Sequence, residues 1–157
     1  MQIAVLGLGC FWGPEIKFSK LDGIIRTEVG YCGGTTKQTS YREVCTGNTN
    51  HAEVVKLEFD EKIISFEDII RYFFQFHDPT TLNSQGPDFG TQYRSEIFYL
   101  NEKQKETAMR VMDEENKRLS GRVVTKVSLL KNYCTAEEYH QKYLEKRENC
   151  QLFLPTG

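Results

Sequence analysis

Gln2-Ile3-Ala4-Val5-Leu6-Gly7-Leu8-Gly9-Cys10-Phe11-Trp12-Gly13-Pro14-Glu15-Ile16 sets the reading of the whole chain. Residues 2–8 form a short apolar run closed by glycines, the pattern of a buried strand. From Trp12 to Lys20 the apolar residues Trp12, Ile16 and Phe18 return at helical spacing, with Pro14 in the first turn, where its missing N–H costs nothing. Cys10 therefore falls at a strand-to-helix turn, between two glycines. Unpaired N–H groups and the positive end of the helix dipole favour a thiolate at such a place, so a reactive cysteine is expected here.

Working outward, Gly23 ends the helix, residues 24–29 read as a second strand, and Gly30-Tyr31-Cys32-Gly33-Gly34 closes it. The polar residues 35–50 read as a loop. Residues 51–60 alternate Glu53, Val55, Leu57 and Phe59 against Val54, Lys56 and Glu58, a strand with Glu53 on an apolar face. Ser65-Phe66-Glu67-Asp68 is a capping box in its Asp variant, and Ile69, Ile70, Phe73 and Phe74 continue it as an amphipathic helix. After a second loop over 77–90, a strand is expected at 93–100, a charged helix at 102–119, a strand at 122–130 and a last helix at 136–146. The order β-α-β-β-α-β, extended by α-β-α, predicts an α+β fold, a ferredoxin-like two-layer sandwich with C-terminal additions. Residues 1–146 make one catalytic domain, and 147–157 a tail carrying Cys150.

A chain of 157 residues suffices for one core. Its formal net charge of -2 is spread in both signs without a basic stripe, so neither nucleic acid nor an anionic membrane is expected as a partner. No signal-peptide pattern or membrane span is seen, and a soluble cytoplasmic monomer is expected. The five cysteines, at 10, 32, 45, 134 and 150, are scattered and odd in number, unlike a secreted disulfide framework. With no CxxC pair and with His51, His77 and His140 far apart, neither a metal nor a bound cofactor is expected.

Gly7-Leu8-Gly9 after a strand suggests dinucleotide binding, but that fingerprint needs glycine where Trp12 stands, and an indole would block the close helix packing. A phosphatase would show arginine where Ile16 stands. Phe11 and Trp12 could line an apolar pocket beside Cys10, and Glu53 could be a carboxyl kept neutral by burial and ready to donate its proton. Tyr41, Asp88 and Tyr93 lie in or beside the glycine-rich loops, where functional hydrogen-bonding groups concentrate. His77 and His140 form no recognised pattern with a cysteine, carboxylate or serine and read as structural. On the residues alone a thiol peroxidase, a cysteine hydrolase with His51 or His140 as base, and a binding module all stay open.

The motifs Gly-Cys-Phe-Trp-Gly-Pro-Glu (9–15), Gly-Tyr-Cys-Gly-Gly (30–34), Tyr41 with Glu43-Val44, His-Ala-Glu-Val-Val (51–55), Gln-Gly-Pro-Asp-Phe-Gly-Thr-Gln-Tyr-Arg-Ser (85–95) and Ala-Glu-Glu-Tyr-His-Gln (136–141) together resemble the peptide methionine sulfoxide reductase A family. The resemblance implies a thiol oxidoreductase that reduces the S epimer of methionine sulfoxide, free or in proteins, and so repairs oxidative damage. It implies Cys10 as nucleophile, Glu53 as acid, Tyr41 and Tyr93 as the hydroxyls that hold the sulfoxide oxygen, and Asp88 as a polar pocket residue. Phe11 and Trp12 match its pocket for the sulfoxide's methyl group. With an unperturbed pKa near 4.3, Glu53 would be protonated in only about one molecule in several hundred at pH 7, so a pKa raised by burial is expected.

The resemblance further implies a sulfenic acid on Cys10, converted to a disulfide that an external thiol reductant, thioredoxin or glutaredoxin, reduces. Cys150 matches the family's resolving cysteine, although the tail lacks the usual glycine-rich run around it. Cys134, Cys45 or an external thiol are the alternatives. Cys134 stands near where the family more often has an aromatic and proline, and Cys32 and Cys45 read as bystanders.

Overall fold

The computed structural model describes residues 1–146. In chain order the elements are β1 (Gln2–Leu8), α1 (Trp12–Ser19), β2 (Ile24–Cys32), α2 (Tyr41–Cys45), β3 (Ala52–Phe59), α3 (Phe66–Gln75), β4 (Ser84–Gln85), β5 (Asp88–Phe89), β6 (Ser95–Tyr99), α4 (Glu102–Arg118), β7 (Lys126–Leu129) and β8 (Cys134–Thr135). Single 3₁₀ turns lie at Thr91–Tyr93 and Glu138–His140. Strands β7-β6-β1-β3-β2-β8 form one mixed sheet in that order, antiparallel throughout except for the parallel β6–β7 pair, while β4 and β5 form a small hairpin of their own. The fold is α+β.

β1 lies inside the sheet, between β6 and β3, which is why its run is apolar on both faces. Ala4, Leu6 and Leu8 face the larger core with Val55, Leu57 and Phe59 of β3, and against them pack Phe18 of α1, Ile69, Ile70, Phe73 and Phe74 of α3, and Ala108 and Val111 of α4. Val5 faces the opposite side with Val54, Cys32 and Phe98, a smaller cluster covered by Leu130 and Tyr133. The helices therefore occupy one face of the sheet and the segment before β8 covers part of the other.

Helix α3 starts as its sequence signals: the Ser65 side chain accepts from the Asp68 N–H, and the Asp68 side chain accepts from the Ser65 N–H. Ser65→Ala is expected to lower stability by about 1 kcal/mol, read as a shift in the denaturant midpoint at unchanged slope.

Several local expectations are corrected. β2 runs on through Gly30 to Cys32, because Gly30 lets β8 approach: a Cβ there would lie 2.6 Å from the Cys134 carbonyl oxygen and 2.7 Å from the Tyr133 hydroxyl. The loop over 35–50 contains α2, and that over 77–90 contains the β4–β5 hairpin. Tyr93 belongs to a 3₁₀ turn, and the strand after it begins at Ser95. The strand expected at 122–130 shrinks to Lys126–Leu129. Among the described residues the expected helix at 136–146 is instead a 3₁₀ turn followed by helical residues 143–146, since the Glu137, His140 and Gln141 side chains and the Lys142 N–H are bonded to neighbouring elements.

Candidate active site

Antiparallel pairing of β1 with β3, from Gln2↔Phe59 to Leu6↔Val55, brings the end of β1 and the start of β3 to the same end of the sheet. Cys10 follows β1 there, half-buried, and Glu53 lies near the start of β3, 1% exposed and on the face shared with Val55 and Leu57. Gly9 makes the turn between them and the hairpin possible. Its φ is +95°, and a Cβ would sit 2.7 Å from the Gln85 side chain. Gln85 in turn accepts from the Asp78 N–H and donates to the Asp78 carbonyl, which closes the loop that leads to Asp88.

The Phe11 N–H donates to Glu53 Oε1 at 3.4 Å. The other carboxyl oxygen, Oε2, is buried and has no hydrogen-bond partner among the described residues. Burial pushes the Glu53 pKa up to about 8; the Phe11 N–H pulls the other way, and the Asp88 charge adds to the rise. Glu53 is thus mostly a neutral acid at pH 7.

Cys10 departs from expectation. Burial pushes its thiol up to about 11, the Trp12 N–H lowers it, and the charges of Glu53 and Asp88 raise it again. The helix start does supply its N–H, but one N–H and a dipole do not offset lost hydration beside two carboxyl groups. Cys10 rests as a thiol. Tyr93 is pushed up to about 12 by burial and by the Glu53 charge, and Tyr41 is raised as well, chiefly by burial. Two neutral phenols thus stand within electrostatic reach of Glu53.

The 136–146 segment supplies residues that sequence reasoning did not assign. Glu137 accepts from the Tyr31 hydroxyl at 2.9 Å and from the Tyr41 N–H at 3.1 Å, joining β2 to the first turn of α2 and setting where Tyr41 stands. Burial opposes its charge, but these bonds, its own N–H and the Tyr139 hydroxyl outweigh that, so its pKa falls below the usual carboxylate range. Gln141 bonds both the N–H and the carbonyl of Val29. Glu15 is buried and accepts from the Thr27 hydroxyl at 2.9 Å and the Lys142 N–H at 2.6 Å. His140 is 1% exposed and accepts the Trp12 indole N–H through Nδ1, which removes that nitrogen as a base for Cys10. The signal was the motif 136–141 itself, whose polar residues turn out to grip other elements. His77 is held between the Phe73 carbonyl and the Ser95 hydroxyl.

Cys10, Phe11, Trp12, Tyr41, Glu53, Asp88 and Tyr93 are thus gathered at one end of the sheet. Cys32 is buried, with its sulfur on the Lys131 carbonyl; Cys45 is exposed; and Cys134 is half-buried on β8, its sulfur 3.7 Å from the Thr39 carbonyl oxygen. Cys150 lies outside the described residues. Two large surface grooves, one against Ile63 and Tyr72 and one against Phe66 and Gln104, contain none of the site residues. Among the described residues no helix is long and apolar enough to cross a membrane.

The family model described as peptide methionine sulfoxide reductase matches residues 2–154. A peptide methionine sulfoxide reductase MsrA of Pelagibacter ubique is 76% identical over 147 residues, covering 94% of this chain and 100% of that protein. The crystal structure of Mxr1 from Saccharomyces cerevisiae in reduced form matches with a TM-score of 0.89 at 37% identity, covering 94% of this chain and 86% of that one. Mxr1 in complex with Trx2 matches with a TM-score of 0.65 at 24% identity, covering 90% and 84%.

Proposed function

Because the chain belongs to the peptide methionine sulfoxide reductase family, we propose that Cys10 is the nucleophile and Glu53 the proton donor of its reaction, the reduction of methionine sulfoxide in peptides to methionine. The carrying observation is the neutral carboxyl of Glu53, buried beside a half-buried thiol, with one oxygen unpartnered. A sulfoxide oxygen placed at Oε2 receives the proton and is held by the Tyr41 and Tyr93 hydroxyls, while its methyl group rests on Phe11 and Trp12 and Asp88 completes the polar side. As the oxygen takes up the proton, the sulfoxide sulfur becomes more positive. That positive charge beside Cys10 offsets the burial that holds its pKa up, and the thiol can ionise as it attacks.

The Cys10 sulfur bonds the sulfoxide sulfur and the sulfur–oxygen bond breaks. The net step converts a thiol and a sulfoxide into a sulfenic acid and a thioether, with the substrate sulfur gaining the two electrons that Cys10 loses. Cys150, in the tail 147–157 that follows the catalytic domain 1–146, is the thiol we assign to attack the sulfenic acid, releasing water and leaving a disulfide. Thioredoxin then reduces it; Mxr1, which this chain resembles, is found in complex with Trx2. The free thiols at 10, 32, 45 and 134 suit a reducing, cytoplasmic setting. The order β6-β1-β3-β2, antiparallel throughout, supports reading the core as ferredoxin-like.

The test is enzyme mixed with one equivalent of each methionine sulfoxide epimer without reductant, followed by peptide mapping. The S epimer is expected to yield about one methionine and a Cys10–Cys150 disulfide, or a dimedone adduct on Cys10 when Cys150 is Ser. Oxidation elsewhere than Cys10 removes the assignment of the nucleophile, and a Cys150 that stays unlinked removes it as resolver.

A further inference from the structure

Tyr93 and Arg94 are neighbours in the chain that serve opposite sides of the sheet. The Tyr93 phenol is within electrostatic reach of Glu53, on the side of the larger core. The Arg94 side chain goes to the smaller cluster, where its guanidinium lies beside Gly33 and Phe98 and within electrostatic reach of Cys32. Arg94 and Glu96 are both buried there. Arg94 Nε donates to Glu96 Oε1 at 2.6 Å, and Nη1 donates to the Thr91 carbonyl at 2.8 Å. Glu96 Oε2 accepts from the Ser128 hydroxyl at 2.6 Å, so the ion pair is anchored on both β6 and β7. Thr91 opens the 3₁₀ turn that ends at Tyr93. Its carbonyl also accepts from the Arg94 backbone N–H, but at 3.3 Å, long for such a bond, so the guanidinium is the nearer of the two donors that close the turn. Tyr41 is held by more than its backbone turn, since its ring packs on His140 with centroids 4.6 Å apart. Tyr93 has no such ring contact among the described residues, and its phenol stands where the turn puts it.

We propose that Arg94, held by Glu96, is a positioning residue that fixes the turn Thr91–Tyr93 and with it the place of the Tyr93 hydroxyl against the sulfoxide oxygen. The proposal rests on Tyr93 being one of the two hydroxyls that hold that oxygen. Stability alone does not account for the pair. Each charge loses its hydration on burial, and apolar residues of similar volume stabilise a fold as well or better. What arginine adds is geometry: a planar fork whose donors meet a carboxylate and a carbonyl at fixed angles. A hydroxyl that stabilises charge on a departing oxygen must be in place beforehand, and a misplacement of about 1 Å can cost a hundredfold in rate. The clamp acts from the face of the sheet opposite the site, so it sets the turn without occupying space that substrate needs.

Arg94→Met combined with Glu96→Leu removes both charges and leaves no buried ion unpaired, so the full-length double variant is expected to melt near the wild-type temperature. Its Tyr93 and Arg94 amides should exchange hydrogen about tenfold faster than in the wild type, and those of β1 no faster. In a single turnover without reductant, at saturating methionine sulfoxide, methionine formation should slow about tenfold. The half-saturating concentration should change much less, because the hydroxyl counts most as the sulfur–oxygen bond breaks. In a Tyr93→Phe background there is no hydroxyl to misplace, and adding the two substitutions should slow the reaction no further. A clamp that merely supports the fold would slow both backgrounds alike. Unchanged amide exchange, an unchanged single-turnover rate, or an equal further loss in the Tyr93→Phe background would each overturn the proposal. If the double variant does not fold, Arg94→Lys carries the same comparison, since one ammonium on a flexible stem does not reproduce the fork. A Tyr93→Phe enzyme that reacts like the wild type would overturn the reading of Tyr93 and the proposal with it. That failure is distinct, because amide exchange is read without turnover and still reports whether Arg94 closes the turn.

Discussion

Cys10→Ser is expected to reduce sulfoxide turnover to the level seen without enzyme, assayed with methionine sulfoxide and dithiothreitol. A serine hydroxyl is a far poorer nucleophile than even a largely protonated thiol, and it cannot carry the oxygen as a sulfenic acid, so neither the attack nor the intermediate survives. The fold should not suffer. Cys10 is half-buried at a turn, and serine differs from it by one atom, so the thermal midpoint should stay near that of the wild type. Substrate binding should persist, because Phe11, Trp12, Glu53 and the two phenols are untouched. A serine variant with more than about 1% of wild-type turnover would show that another group performs the attack, since the loss of a nucleophile leaves only the modest acceleration due to binding and polarisation.

Glu53→Gln is expected to lower kcat/KM by about 10²–10⁴-fold below pH 8, because the amide can hold the sulfoxide oxygen but has no proton to give. The pH dependence of the loss is as diagnostic as its size. In the free enzyme Glu53 is protonated up to about pH 8. Above that value the wild type loses its acid about tenfold per pH unit, while the variant has none to lose, so the ratio of wild type to variant should be flat below pH 8 and fall above it. Ionisation of Cys10, common to both proteins, cancels in that ratio. Stability should move the other way. The unfolded chain ionises Glu53 near the usual carboxylate value, whereas the folded protein keeps it neutral to about pH 8. Between those values the folded state binds the extra proton, so wild-type stability falls as pH rises; below them both states are neutral and nothing is lost. The thermal midpoint of Glu53→Gln should therefore match the wild type near pH 4 and exceed it at pH 8. A ratio that does not vary across pH 8 would remove Glu53 as the acid.

Local patterns carried much of the fold because they describe what short segments do before they meet the rest of the chain. The apolar run of β1, the turn through Gly9, the capping box at Ser65 and the stripe of α3 each depend on residues within a few positions of one another, and each is found where it was expected. The segment 136–146 shows where such patterns fail. Its helical spacing is real, but Glu137, His140, Gln141 and the Lys142 N–H bond to Tyr41, Trp12, Val29 and Glu15, and those distant partners outweigh a marginal local helix.

The site divides along the same line. Sequence by itself determined that Cys10 stands at a strand-to-helix turn next to Phe11 and Trp12, and that Glu53 shares a strand face with apolar residues, because helix starts and strand parity are set by neighbours in the chain. Only the tertiary structure decided the charge each group carries. Burial in the fold removes solvent from Cys10 and Glu53, and desolvation turned the expected thiolate into a resting thiol of pKa about 11 and the carboxyl into an acid of pKa about 8. It likewise placed His140 against Trp12, a pairing across 128 positions that no local rule contains.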